Sequence, residues 1–140
     1  MIHFQLVSLS GKKFDDDVYE ITLPTLDGQI GVLDHHMPLL SVATTGTIAV
    51  RRKSNDPDDF RDYFAVSGGV IEVSNNVLTV LVDEADHADE IEEAEAQKAF
   101  EAAKKLKAEA KDQVSLDQAQ SLIDRQAVRI QVAGLKRRRR

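Results

Sequence analysis

At Asp83-Glu84-Ala85-Asp86 the sequence changes character, and that change limits what the chain can fold into. Before it, apolar residues come in short runs punctuated by Gly, Pro, Asn and Ser. After it, from Asp89 to Lys111, there is no Gly or Pro, and Ala, Glu and Lys dominate, all strong helix formers. One fold class satisfies both halves: an α+β chain with β structure in residues 1–86 and helices in residues 87–140.

The first region reads as about eight to ten short strands. Ile2, Phe4 and Leu6 alternate with His3 and Gln5, and Ile21 and Leu23 alternate with polar neighbours, the period-2 signature of half-buried strands. Further strands are expected over Thr47–Arg52, Arg61–Ser67, Val70–Val73 and Val77–Val82. Turns are expected at Gly11-Lys12-Lys13, Thr44-Thr45-Gly46, the polar run Ser54–Asp59, Ser67-Gly68-Gly69 and Ser74-Asn75-Asn76. Asp15-Asp16-Asp17 reads as a solvated connection. Closely spaced short strands with turn chemistry between them indicate a β-sandwich or flattened barrel.

The second region reads as an antiparallel two-helix hairpin. Ile91, Ala94, Ala99, Ala103, Leu106 and Ala110 recur at helical spacing. Asp112-Gln113-Val114 makes a break, Ser115 with Gln118 forms a capping box, and Leu116, Ala119, Leu122 or Ile123, Ala127 and Ile130 make the second stripe. Gly134 is placed to end the helix. The faces are mostly alanine, so such a hairpin is marginal alone and must lean on a partner surface.

Composition excludes several functions. The 140 residues include no cysteine, so there is no disulfide framework or thiolate chemistry. The N-terminus lacks the pattern of a secretory signal, and no run has the apolar length of a membrane span; a cytoplasmic protein is expected. The net charge is −6, with positive charge concentrated in Lys136–Arg140. An acidic body argues against general nucleic-acid binding. The basic tail reads as a solvated end, or as a contact for anionic lipid or an acidic partner.

The most unusual stretch is Gly28–Ser41. It reads as a shaped loop between two strands that presents a surface. His35 and His36 are adjacent, so in an extended chain they point apart and do not converge on one metal ion. Gly28, Gly31, Gly68 and Gly69 lack phosphate-loop spacing and read as turn glycines with positive φ. No catalytic constellation accompanies the histidines. Arg125 and Arg129 lie at i, i+4 and share one helix face. The residues alone leave two readings open: a non-catalytic interaction protein, or a small β-barrel ligand-binding or enzymatic domain using the His35-His36 loop.

Gly28, Ile30, Gly31 and Val32, followed by His36, Pro38, Leu39 and Leu40, resemble the Gly-x-Gly-aliphatic and His-x-Pro-Leu-Leu segment of the epsilon subunit of bacterial F-type ATP synthases, called delta in mitochondria. The block Ser67–Ala85 resembles the Ser-Gly-Gly hairpin that ends that family's sandwich. The order of sandwich, acidic joint and helical hairpin matches as well, so the resemblance covers essentially the whole chain.

The resemblance implies a central-stalk subunit with no active site of its own. The sandwich would sit between the gamma subunit and the c-subunit ring, with Gly28, Gln29, Ile30, Gly31, His36 and Pro38 as contact residues. The hairpin would fold down on the sandwich or extend toward the catalytic alpha and beta subunits and inhibit ATP hydrolysis. Asp83, Ile91, Arg125 and Arg129 would contact nucleotide or those subunits. No cofactor is implied, with ATP open as a regulatory ligand, and the location implied is peripheral, on the cytoplasmic side of the bacterial plasma membrane. Three positions depart from the family pattern. Gln29 replaces an acidic residue, His35 replaces a glycine, and Glu95 replaces the arginine of the nucleotide motif in Ile91–Ala96.

Overall fold

A computed structural model describes residues 1–57 and 60–139, with side chains as far as Leu135. Asp58, Asp59, Arg140 and the side chains of 136–139 lie outside it, and with them the expectations for the basic tail and for the end of the 54–59 loop. Ten strands come first: β1 (Ile2–Ser8), β2 (Gly11–Val18), β3 (Glu20–Thr25), β4 (Gly28–Leu33), β5 (Leu39–Ala43), β6 (Gly46–Arg51), β7 (Asp62–Val66), β8 (Gly69–Ser74), β9 (Val77–Val82) and β10 (Ala85–His87). A 3₁₀ turn, Ala88–Glu90, leads to α1 (Glu93–Glu109) and α2 (Gln113–Arg139).

The strands form one layer ordered β10-β7-β6-β3-β4 and another ordered β5-β8-β9-β1-β2, joined at a corner where Thr25 of β3 pairs with Ala43 of β5. All pairings are antiparallel except β1 with β9, which is parallel. The expected alternation holds: Ile2, Phe4, Leu6, Ile21, Leu23, Ile71, Leu78 and Val80 are all fully buried in a single core. Phe4, Phe14 and Phe64 form a chain of ring contacts across it, with centroids 5.3 and 5.9 Å apart. Phe64 continues the chain edge-on to His87 at 5.0 Å.

Several local expectations are corrected. Gly11–Lys13 and Asp15–Asp17 are strand residues, and the turn is at Leu9-Ser10. β2 is an outer strand, so its carboxylates reach solvent while only Phe14 and Val18 turn inward. His3 on β1 lies across from them, with Nδ1 2.7 Å from Asp17 and Nε2 2.6 Å from Asp15. Lys12 adds a contact to Asp15 at 3.0 Å. The hydrogen bond to Asp17, then that to Asp15, raises the His3 pKa. Because the folded value is the higher one, this cluster contributes stability below about pH 6.5 that is lost as pH rises through the folded-state value. The effect is modest because solvent screens the cluster. Melting temperature should therefore fall slightly from pH 6 to 8.5 in the native chain, and the decline should be reduced in His3→Gln.

Of the glycines expected at positive φ, only Gly28 has it, at 111°. Gly31 lies within β4. Gly69 is needed for space: a Cβ there would lie 1.9 Å from the Leu81 carbonyl oxygen.

The helices do form a hairpin, with shifted ends. Asp112 caps α2 in place of Ser115, accepting the Ser115 N–H at 2.7 Å. α2 runs through Gly134 to Arg139. A helical glycine costs only about 1 kcal/mol, and the adjoining Val132 and Ala133 are buried against the sandwich. Ala96, Ala103, Ala119 and Ala133 are buried small residues of the two helices, whereas Ala94, Leu106 and Ala127 are exposed. The hairpin therefore does lean on the sandwich. Val132 and Ala133 of α2 and Ala96 of α1 share a small cluster with Ala65, Ala88 and Ile91, flanked by Tyr63, Val128 and Ile130.

Candidate functional site

The stretch Gly28–Ser41 is not one loop. Gly28, Gln29, Ile30 and Gly31 belong to β4, which pairs with β3 alone and leaves its other edge open. His36 and Pro38 lie in the turn at its far end. Six strand residues separate the ends by about 20 Å, so the candidate contact residues do not converge on one point. Gln29 and Gly31 are exposed, and Ile30 packs partly on the core.

The turn itself is well defined. The His36 N–H donates to the Leu33 carbonyl at 3.2 Å, and His35 sits at φ 60°. A left-handed position favours glycine, which is why the departure at His35 matters. His36 Nδ1 donates to the Met37 carbonyl at 2.7 Å, while the His35 side chain is 83% exposed. The larger described clefts lie at the joint, between the helices and beside the 56–62 segment, and neither histidine lines any of them. A ligand-binding or catalytic role for the pair gains nothing from this geometry.

Beyond the turn lies a surface that sequence reasoning missed. Val42, Val70 and Leu81 pair in register across β5, β8 and β9. All three are exposed, as are Leu40 and Met37 close by. The result is an uncovered apolar stripe on the outer face of a sheet, a feature that marks an interaction surface. Its signal was in the sequence: Val70 and Leu81 occupy outward positions that alternation assigns to polar residues.

The second candidate group sits where the hairpin meets the sandwich. Arg125 and Arg129 project from one face of α2 toward the joint. Arg125 Nη1 donates to Glu84 at 3.2 Å, and Arg129 pairs with Asp86 of β10. Glu84 is itself fixed by Ser67. The Glu84 N–H donates to Ser67 Oγ, the Ser67 N–H donates to the Glu84 carbonyl, and both distances are 3.0 Å. The arginines therefore tie the second helix to the acidic joint. Asp83 and Arg129, with Leu9, Ser10, Glu84 and Asp86, line an open cleft of about 420 Å³. Ile91 is apart from it, 3% exposed within the apolar cluster.

His87 closes the joint. It accepts the Asp89 N–H at Nδ1, its own N–H donates to the Glu90 carboxylate, and Nε2 lies 3.4 Å from Asp62. Burial pushes the Asp62 pKa up, but Arg52 at 2.6 Å and His87 outweigh it and hold the carboxyl below its usual range. Among the described residues no helix is long and apolar enough to cross a membrane.

Residues 1–88 match the sequence family described as ATP synthase, Delta/Epsilon chain, beta-sandwich domain. The ATP synthase epsilon chain of Halalkalibacterium halodurans is 31% identical over 134 residues, covering 95% of this chain and 97% of that one. Among solved structures, a chain in the Euglena gracilis mitochondrial ATP synthase, OSCP/F1/c-ring, superposes with a TM-score of 0.78 at 23% identity, covering 94% of this chain and 80% of that one. A chain in the central stalk and c-ring of the Tetrahymena thermophila mitochondrial ATP synthase superposes with a TM-score of 0.52 at 18% identity, covering 63% and 67%. At those identities the two structures bear on the fold alone.

Proposed function

The chain belongs to the delta/epsilon family of ATP synthase subunits, and from that premise we propose that it is a non-catalytic central-stalk subunit whose hairpin brakes ATP hydrolysis. The sandwich meets the gamma subunit and the c ring. The stripe of Val42, Val70 and Leu81 suits an apolar partner surface such as gamma would offer. Gln29 and the exposed β4 edge remain for the ring, without the acidic side chain common in relatives. The subunit is then held at the membrane only through the complex.

The observation that carries the brake is the way the hairpin is held. Its contact with the sandwich is a cluster of mostly small side chains supplemented by two part-exposed ion pairs. Such pairs contribute only about 1 kcal/mol each or less. A weakly held element of this kind can exchange between docked and extended arrangements lying within a few kcal/mol of one another. Extended, the hairpin would reach the catalytic alpha and beta subunits. A regulatory nucleotide would have to displace Glu84 and Asp86 from Arg125 and Arg129 and would face Glu95 in place of an arginine, so the docked state is read as independent of ATP.

Removing residues 93–140 keeps β10 and Ile91 in place and should raise ATPase activity of the assembled enzyme. The gain is about twofold if the extended state holds half the population, and about tenfold if it is favoured by about 1.4 kcal/mol. Steady-state hydrolysis by complexes containing the truncated subunit measures it, and an unchanged rate removes the brake.

A further inference from the structure

Asn75 and Asn76 make the β8–β9 turn with φ of 52° and 61°. Only Asn76 reaches out of that turn. Its Nδ2 donates to Asp34 Oδ1 at 2.8 Å and to the Met1 carbonyl at 3.1 Å, and its Oδ1 accepts the His35 N–H at 2.8 Å. One carboxamide thus joins three segments distant in sequence: the start of β1, the β8–β9 turn and the turn between β4 and β5. The bond to Asp34 also holds that carboxyl below its ordinary pKa, so Asp34 stays an anion ready to accept.

The bond to His35 falls where it is most needed. A non-glycine residue at φ 60° is disfavoured, and a backbone N–H held by a fixed acceptor offsets that preference. We propose that Asn76 is the positioning residue of the docking turn, holding His35 left-handed so that His36, Met37 and Pro38 are presented in one arrangement. The role rests on the expectation, drawn from the family resemblance, that His36 and Pro38 of this turn contact a partner in the stalk. A turn fixed before binding loses less entropy on docking, so the clamp acts on affinity more than on fold.

Asn76→Gly separates the two, because glycine accepts the positive φ of the β8–β9 turn while removing the carboxamide. The full-length variant should bind ATP synthase stripped of this subunit about tenfold more weakly. The His35 amide should exchange faster, and the melting temperature should move by only about 3 °C or less. His35→Gly alone should bind as the native chain does. Combined with Asn76→Gly it should restore most of the affinity, because glycine needs no clamp. Native affinity in Asn76→Gly, or no recovery in the double variant, overturns the proposal. Loss of binding in His35→Gly alone does so too, since it assigns the affinity to the imidazole. If the native chain itself does not bind, the docking reading falls first, and the role of the clamp falls with it.

Discussion

Gly69→Ala is expected to destabilise the sandwich severely. Gly69 pairs with Ala43 of β5 on one side and Val82 of β9 on the other. An added methyl carbon would sit 1.9 Å from the Leu81 carbonyl oxygen and 2.8 Å from the Leu81 carbonyl carbon and the Val82 Cα. These are backbone atoms of a strand hydrogen-bonded on both edges, so no side chain can rotate away. Relief requires shifting β9, and with it the parallel pairing to β1. Overpacking of this kind costs about 3 kcal/mol or more, a large share of the roughly 5–15 kcal/mol that stabilises a domain. Urea denaturation followed by circular dichroism should show loss of the cooperative β transition, or a midpoint lowered in proportion. An unshifted midpoint would show that β9 yields more easily than its pairing implies.

Val132→Asp should have the opposite distribution, releasing the hairpin while leaving the sandwich intact. Val132 is fully buried against Ala65, Ala88 and Ile91. The charged partners of this region are already engaged nearby, Arg129 with Asp86 and Arg125 with Glu84. A new carboxylate there would be buried without compensation, at a cost of about 3–5 kcal/mol. The sandwich core is a separate cluster and loses nothing. The variant should unfold near the native temperature by β-sheet signal, yet be cut rapidly by protease within α1 and α2. Arg125→Ala with Arg129→Ala should loosen the same contact less, and with a steeper response to salt removed. Protection of the helices in Val132→Asp equal to the native chain would show that the cluster is not what holds them.

The limits of sequence reading follow from where each signal resides. Alternation marked β1 and β3, and short apolar runs between turn residues marked β8 and β9, because their inner residues face one core. It missed β2, where Asp15, Asp16 and Asp17 look like a solvated link; on an outer strand, charges are tolerated as long as Phe14 and Val18 turn inward. The two glycines around Gln29 suggested a loop, but β4 has no neighbour beyond β3, so small residues there crowd nothing. Helix existence was plain from composition, whereas its ends were not. Gly134 does not stop α2, since burial of Val132 and Ala133 outweighs its low propensity.

The candidate sites were legible as residues and not as relationships. Arg125 and Arg129 were visible as a pair, but their partners lie 41 and 43 residues away, beyond any local pattern. Asn76 read as a turn former, which it is. Nothing in its neighbours reveals that it reaches 41 residues back to Asp34's turn.

The parallel pairing of β1 with β9 sets a clock for biosynthesis. His3 lies beside Val77 and Leu6 beside Val80, so the first strand made must wait for the ninth. At about 5–20 residues per second, that interval is several seconds to a quarter of a minute. Until then β1 can pair only with β2, with its other edge and the apolar side chains of Ile2, Phe4 and Leu6 uncovered. The sandwich can close only once Val82 has left the ribosome, whereas the hairpin that follows can form locally as it emerges. Any slowing of translation between β2 and β9 would lengthen the time the nascent chain spends open to chaperones and to its neighbours on a polysome.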